Sequence, residues 1–270
     1  MSLPKKVSGI CSKCNKSNEF VVYDTINTDL FPDVPRRIIS GELFKTECSH
    51  CGASLTFEYP TLYHDMKHNA MIKIISEEKP SQEELDLTHK MMGMFGEYVS
   101  RLVKNTRELG EKVEIIEAGL DDRTIEIQKL FTTVQIQKEK PDFEFANAYF
   151  TMEDGKQIIN VYNTNGQYIT TWFDEDGYLN MEECLHEVYK KHPTPHFAII
   201  DRAWALEMLQ PLLEAQEELS KKHGMTSEEY FTMRKTERKQ ENRKNEKTEV
   251  LNKNSTKSNN LWSRIKEFFK

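Results

Sequence analysis

The chain begins with patterns that are typical of β-strands. Residues 20–23 are aromatic and β-branched, and residues 55–59 alternate apolar with polar side chains, as a half-buried strand does. A short helix is predicted between these strands, at about residues 36–40. The first 78 residues are therefore expected to form a strand-rich unit.

From residue 80 to residue 99 the apolar side chains recur with the period of an α-helix, behind a capping box. A second helix is predicted from about Thr106, and Gly119 is placed to end it. Asp121 or Asp122 is then expected to cap a third helix, because a carboxylate there accepts hydrogen bonds from free amides. Three consecutive helices therefore follow the strand-rich unit.

Three strands with turn signals between them come next. The predicted strands cover residues 143–152, 158–162 and 168–173, and Asp-Gly and Asn-Gly pairs separate them. Consecutive turns of this kind predict an antiparallel meander. A further Asp-Gly pair, which ends at Gly177, is expected to be another turn before a short helix at residues 181–191.

Towards the C-terminus the pattern becomes less apolar. A helix is predicted over about residues 201–222, with a break or restart at Pro211. Residues 234–260 contain Val250 and Leu251 as their only apolar side chains, so they cannot bury enough surface to offset the entropy of ordering. We therefore predict a disordered linker there.

Four cysteines form two C-x2-C pairs, Cys11 with Cys14 and Cys48 with Cys51, and 33 residues separate the pairs. Two such pairs supply four thiolates, the ligand set of a closed tetrahedral zinc site, so we predict one structural Zn²⁺ here. A redox dithiol is the alternative, but that motif usually has a single pair in a βαβ setting. Cys184 lies on the apolar face of its helix and is expected to be an inert core thiol.

Asn15 and Gly52 directly follow the second cysteine of each pair. Both residue types tolerate a positive φ angle, which lets the backbone curl and point its amides at the thiolates. We therefore predict an α+β protein in which a zinc ribbon is joined to a domain of helices and an antiparallel meander, with a disordered C-terminal tail. The predicted segments are a zinc ribbon at residues 1–78, a helical and antiparallel β domain at 79–200, C-terminal helices at 201–233, a disordered linker at 234–260 and an amphipathic helix at 261–270.

The net charge of −7 is unevenly distributed. Residues 1–230 carry 25 Lys and Arg against 39 Asp and Glu, whereas residues 231–270 carry 12 against 5. An acidic body repels the phosphate backbone of nucleic acids, so nucleic-acid binding is disfavoured and a protein partner is expected. No run of apolar residues is long enough to span a bilayer, and a cytoplasmic location is expected.

The last ten residues regain an apolar pattern. Their large apolar side chains are Leu261, Trp262, Ile265, Phe268 and Phe269. A helix this short is marginal in isolation, so it must dock in order to fold. Two interpretations stay open, weak peripheral contact with an anionic membrane surface and packing on a protein groove.

Several separated motifs resemble the CpXC-domain proteins of bacteria and archaea. Besides the two cysteine pairs, they are Gly-Glu-Leu-Phe at 41–44, Tyr-His-Asp at 63–65, Glu-Lys-Val at 111–113, Gly-Leu-Asp-Asp-Arg at 119–123 and Ile-Glu at 125–126. The resemblance covers about residues 7–190 and implies that family's fold and a zinc ion, but no activity. The family has proline after the first cysteine of each pair, whereas this chain has Ser12 and Ser49, a difference that removes no ligand.

Asp121, Asp122 and Glu126 place three carboxylates within six residues, a set that suits a hard cation in a metal-dependent hydrolase. In the alternative interpretation the aspartates cap a helix and Arg123 pairs with Glu126. No nucleophile elbow, P-loop, dinucleotide-binding glycine motif or zincin motif occurs in the sequence, so no enzyme class is assigned.

His64 and His68 are four residues apart and, on a helix, would share a face beside Asp65. A second, labile metal ion there would favour the hydrolase hypothesis, although the surrounding sequence predicts a turn. His50, inside the second cysteine pair, is a further candidate ligand. The residues favour a zinc-ribbon interaction or scaffold protein, with a metal-dependent hydrolase and a zinc-ribbon nucleic-acid-binding protein as alternatives.

Overall fold

The computed structural model describes residues 4–75 and 98–240. The chain divides after Leu212 into two compact units. Most of the helix predicted over residues 80–99, most of the predicted linker and the whole amphipathic helix at 261–270 lie outside the described residues.

The first unit begins with seven short strands, one short α-helix and one 3₁₀ turn. They are β1 (Pro4–Ile10), β2 (Ser17–Tyr23), β3 (Thr25–Asn27), α1 (Val34–Ile39), the 3₁₀ turn Glu42–Phe44, β4 (Lys45–Glu47), β5 (Ser54–Thr56), β6 (Leu62–Asp65) and β7 (Ala70–Ile74). After residue 97 come longer elements, and the last of them runs past Leu212. They are β8 (Val99–Val103), α2 (Thr106–Glu117), α3 (Asp122–Glu139), β9 (Phe145–Glu153), β10 (Lys156–Asn163), β11 (Tyr168–Trp172), α4 (Glu175–Lys191), α5 (Arg202–Glu207) and α6 (Leu209–His223).

These strands form four separate sheets. Strands β1 and β2 pair as one antiparallel hairpin and β4 and β5 as another. A four-stranded sheet has the order β3-β6-β7-β8, in which β6 and β7 are antiparallel and the two outer pairs are parallel. The fourth sheet has the order β11-β10-β9 and is antiparallel throughout, which confirms the predicted meander.

The largest apolar core is built from the four-stranded sheet together with α1 and α2. Ile26 in β3, Tyr63 in β6 and Leu109 in α2 are each at most 1% exposed. Helix α1 packs closely on α2 at Gly110, where an added Cβ would lie 3.4 Å from the carbonyl oxygen of Ile38. Glycine at this position therefore lets the two backbones approach.

The predicted second and third helices are confirmed by the structure. Helix α2 begins at Thr106, and the chain turns out of it at Gly119, which has a φ of 70°. Asp121 is the N-cap of α3, and its side chain accepts a hydrogen bond from the backbone amide of Arg123. A carboxylate that satisfies a free amide in this way stabilises the start of a helix.

Three sequence predictions about element boundaries are wrong. Val99 begins strand β8 and is not part of a helix. The Asp-Gly pair ending at Gly177 is not a turn, because the side chain of Asp174 accepts a hydrogen bond from the Gly177 amide and caps α4 six residues earlier than predicted. The break between α5 and α6 falls at Met208, and Pro211 lies inside the first turn of α6, where proline is tolerated.

The second unit contains most of α6 and a helix that begins at residue 227 and continues to residue 240, the last residue described. A capping box starts this helix: the amide of Glu229 donates to the Thr226 hydroxyl, and the amide of Thr226 donates to the Glu229 carboxylate. This helix enters the first seven residues of the segment at 234–260 where a linker was predicted, and the remainder of that segment lies outside the described residues.

Strands β7 and β8 lie on either side of residue 78, where the sequence analysis placed a segment boundary, and they pair in parallel. The predicted segment boundaries stay a prediction. The strand order nevertheless joins the N-terminal strands to the chain that follows residue 97, because β8 completes their sheet.

One buried ion triad connects β8 with helices α2 and α3, and a second connects α2 with α3. In the first, Asp122 accepts hydrogen bonds from Arg101 at 2.9 Å and faces the Nζ of Lys112 at 2.9 Å. In the second, Lys129 lies 2.9 Å from Glu111 and 2.8 Å from Glu126. All six side chains are at most 8% exposed, and each central charge has two partners of opposite sign.

Burial and pairing set the pKa values in these triads. Burial alone would raise the pKa of Asp122, but the adjacent Arg101 and Lys112 outweigh it and hold that pKa well below its usual range. Burial alone would lower the pKa of Lys129, and the flanking Glu111 and Glu126 instead raise it. Both central groups are therefore charged at neutral pH.

We expect Asp122→Ala to lower the free energy of unfolding by about 3–5 kcal/mol, because Arg101 and Lys112 would stay buried without their shared counter-charge. The free energy should be measured by urea denaturation between pH 3 and pH 7. The folded-state pKa of Asp122 is depressed, so its stabilisation is present above about pH 4 and is lost as the pH falls. The variant should therefore show a shallower loss of stability in acid.

The matched control is Asp121→Ala, which removes only a helix cap and its pairing with Arg123. It should cost about 0.5–2 kcal/mol. Equal losses for the two variants at pH 7 would contradict the role assigned to the first triad.

Candidate metal centre

The four cysteines lie in two loops that have the same backbone construction. In the β1–β2 loop the Cys11 amide donates to the carbonyl of Lys16 at 2.9 Å, and in the β4–β5 loop the Cys48 amide donates to that of Ala53 at 2.9 Å. The residues after the second cysteines, Asn15 and Gly52, have φ angles of 57° and 68°, which confirms the positive φ expected there.

These loops bring all four sulfur atoms within 4.8 Å of one another. The Sγ atoms of Cys11 and Cys51 are 3.8 Å apart, and those of Cys14 and Cys48 are 3.7 Å apart. Both separations are far longer than a disulfide bond of about 2.05 Å. A tetrahedral ion with metal–sulfur bonds of about 2.3 Å holds its sulfurs about 3.8 Å apart, so the cluster has the dimensions of a four-thiolate metal site.

A small apolar cluster supports the sulfurs from one side. Cys11 and Cys48 are buried and pack with Phe20 and Leu55. Phe20 also stacks on Phe57, with ring centroids 4.5 Å apart. Cys51 is exposed, so the cluster lies at the surface with two of its sulfurs turned into the protein.

Neighbouring groups shift the pKa values of two of the thiols in opposite directions. Backbone amides of Cys14 and Lys13 donate to the Cys11 sulfur and lower the pKa of Cys11 to about 6. At Cys51 the amide of Ala53 lowers the pKa, but desolvation and the three neighbouring thiols outweigh it and raise the pKa to about 12. Four adjacent thiolates would repel one another, and a soft or borderline divalent metal fits this donor set.

Comparison with protein-family models matches residues 10–129 to the CpXC protein family. Residues 10–129 form a CpXC domain. The comparisons with curated proteins and with solved structures gave no match. The CpXC domain contains the four cysteines, the four-stranded sheet and every residue of both ion triads.

Asn18 joins the two cysteine loops of the CpXC domain, a role that the sequence analysis missed. Its side chain is buried, and its Oδ1 accepts hydrogen bonds from the Ser49 amide at 3.0 Å and the Ser49 hydroxyl at 2.9 Å. His50 is not a ligand candidate, because its Nε2 faces the carbonyl oxygen of Ser17 at 3.0 Å. An asparagine four residues after a cysteine gives no signal that could have predicted this bridge.

The carboxylates proposed for a hydrolase are paired with cations. Asp121 pairs with Arg123 at 2.5 Å, Asp122 belongs to the first ion triad, and Glu126 pairs with Lys129. The predicted pairing of Arg123 with Glu126 is therefore wrong. Within residues 4–75 and 98–240, none of these three carboxylates belongs to a group of potential metal ligands.

The histidine pair predicted beside Asp65 is separated by the fold. His64 lies on strand β6 and its ring nitrogen faces the hydroxyl of Tyr98 at 3.4 Å. His68 follows in the turn, where it approaches Asp65 and Glu117. These three side chains form the second group of potential metal ligands in the described chain, and Glu117 could not be predicted because it is 49 residues from His68.

Cys184 is buried in helix α4, and burial raises the pKa of its thiol to about 12. A thiol that stays protonated at neutral pH is a poor nucleophile.

Among the described residues, none of the helices combines the length and the apolar character that crossing a membrane requires.

We expect Ser49→Pro to lower the free energy of unfolding by about 1–3 kcal/mol, because it removes both donors and leaves the buried Asn18 oxygen without a partner. Ser12 makes no comparable bond with a described side chain, so Ser12→Pro should cost less. Urea denaturation of the metal-loaded variants provides the measurement. The cost of Ser49→Pro should largely disappear in an Asn18→Ala background, and the same cost in both backgrounds would contradict the bridge.

Proposed function

We propose that the CpXC domain holds one structural Zn²⁺ through Cys11, Cys14, Cys48 and Cys51. The spacing of the four sulfurs carries this proposal, because it matches the edges of a thiolate tetrahedron. Thiolate ligands favour zinc over hard divalent ions such as Mg²⁺. Since four protein ligands complete the tetrahedron, the ion has no open position for a substrate and its role is structural.

The two hairpins that carry the cysteines need such an ion. An isolated two-stranded hairpin is marginally stable in water, and the cluster around Phe20 and Leu55 is small. Binding of structural zinc contributes an apparent free energy of about 10–16 kcal/mol in small zinc domains, and this energy is coupled to folding. The proposed ion therefore fixes β1–β2 against β4–β5.

We further propose that the chain acts as an interaction or scaffold protein, with the zinc ribbon as its binding module. Ile10, directly before the first metal ligand, is 74% exposed, and Val21 on β2 is 47% exposed. Exposed apolar side chains on one hairpin favour contact with another protein. The cation-paired state of Asp121, Asp122 and Glu126 favours this function over hydrolysis.

Metal content and local unfolding test the zinc proposal. Elemental analysis of the full chain should give at least one zinc per molecule. Treatment with a chelator, or the change Cys48→Ser, should abolish amide hydrogen-exchange protection in β1, β2, β4 and β5, because the coupled binding energy is lost.

Cys184→Ser is the matched control for the cysteine change, and it should keep both the zinc and the protection. Much less than one zinc per chain, or intact protection of the two hairpins in Cys48→Ser, would overturn the structural-zinc proposal.

Co-purification from the native host, followed by mass spectrometry, tests the interaction proposal. Ile10→Asp should lose the partner that wild type retains, with an unchanged zinc content. Leu206→Asp replaces an apolar residue of α5 that is 50% exposed, and it should retain the partner. Loss of the partner in both variants, or in neither, would contradict a binding surface at Ile10.

A further inference from the structure

Asp65, His68 and Glu117 come from three different places in the fold and meet at one point. Asp65 ends strand β6, His68 lies in the turn before β7, and Glu117 is the last residue of α2. Their ligand atoms lie within 4.8 Å of one another. The group is separate from the cysteine cluster and shares no residue with it.

The distances within this group suit a metal ion with nitrogen and oxygen ligands. The Nδ1 atom of His68 lies 2.7 Å from Asp65 Oδ2 and 3.8 Å from Glu117 Oε1. Neighbouring ligands of an ion with bonds of about 2.0–2.2 Å are about 2.9–3.5 Å apart. The two observed separations lie on either side of that range. Small rotations of the His68 and Glu117 side chains would therefore bring their ligand atoms, together with that of Asp65, within bonding distance of one ion.

The buried carboxylate of Asp65 is held in a fixed orientation. The hydroxyl of Tyr63 donates to Oδ2 at 3.0 Å, and the hydroxyl of Thr28 donates to Oδ1 at 3.3 Å. Hydrogen bonds of this kind orient the carboxylate ligands of metal sites and tune their affinity. Asp65 is 1% exposed, so its position is determined by the core.

A separate feature also attracts a cation to this point. Glu117 is the last residue of α2, and the last turn of that helix contains no basic residue. The carbonyl end of a helix carries a partial negative charge, which adds to the charges of Asp65 and Glu117. A bound cation would offset this concentration of negative potential.

An open groove of about 640 Å³ adjoins Asp65 and Glu117. Its wall also includes Thr28, Arg36 and Lys67. Three protein ligands leave coordination positions open to this groove, and the two basic side chains suit an anionic ligand on the ion.

We propose that Asp65, His68 and Glu117 bind one divalent transition-metal ion of the Mn²⁺ or Zn²⁺ type, exchangeable through the groove. One imidazole and two carboxylates form a harder ligand set than four thiolates, so the two sites select different ions. This proposal does not depend on the function proposed for the cysteines.

Manganese titration of the zinc-loaded full chain tests the site, because Mn²⁺ prefers oxygen ligands to thiolates. Electron paramagnetic resonance measures the free Mn²⁺ that remains in solution. Wild type should bind one Mn²⁺ per chain. His68→Ala and Glu117→Gln should each weaken binding about tenfold or more, and Thr28→Val should weaken it about 10–100-fold through the orientation of Asp65.

His64→Ala is the matched control, because His64 is the neighbouring histidine and faces Tyr98. It should bind Mn²⁺ as wild type does. Circular dichroism checks the fold of each variant, and Glu117→Gln alters an exposed side chain and leaves the core intact. Binding by wild type that is no tighter than binding by Glu117→Gln, or no binding of Mn²⁺ or of a second Zn²⁺ by wild type, would overturn the proposal.

Discussion

Six charged side chains are buried where β8, α2 and α3 meet, and the need to pair them constrains the first unit. A buried charge without a partner costs several kcal/mol, so each cation must lie beside its carboxylate. Asp122, Glu126 and Lys129 occupy positions i, i+4 and i+7 of α3 and therefore share one face. Asp122 and Lys129 pair with residues of β8 and α2, so the rotation of α3 about its axis is fixed by charge pairing.

The same network reaches the meander through the edge of β9. The amide of Phe150 donates to Glu111 at 2.7 Å, and the amide of Met152 donates to Glu114 at 2.8 Å. An edge strand with unpaired amides invites unwanted pairing with other chains. Here two glutamates of α2 satisfy those amides. Glu111 also pairs with Lys129, so one side chain contributes both to covering the sheet edge and to placing α3.

Local signals in the sequence were sufficient for the parts of the fold that depend on near neighbours. The Asp-Gly and Asn-Gly turns predicted the meander, Asp121 predicted the start of α3, and the cysteine spacing predicted the group of four sulfurs. Asp122 and Glu126 were instead interpreted from residues within one helical turn. Their true partners include Arg101, which is 21 positions from Asp122, and a buried charged face looks like a solvated face in the sequence.

The same limit applies to the second group of metal ligands. The pair His64 and His68 was predicted on helical spacing, but His64 lies on strand β6 and His68 lies in the turn that follows it, so the two side chains do not share a helix face. Asp65 and His68 approach each other because a turn follows β6, and only the packing of α2 against the sheet brings Glu117 to them. A short sequence motif can therefore supply two of these ligands, whereas the third depends on the tertiary fold.

The CpXC domain thus contains three kinds of polar cluster, and the surroundings of each cluster determine its role. The thiolate cluster lies on two small hairpins with little apolar core, so its contribution to stability is local. The ion triads lie in the interior, where each charge is balanced, and they hold the helices in place without a ligand. Asp65, His68 and Glu117 differ from both, because two carboxylates and a helix C-terminus meet beside an open groove. An excess of negative charge that is open to solvent favours the binding of an exchangeable ion. A closed thiolate site or a charge-balanced triad instead favours a permanent structural role.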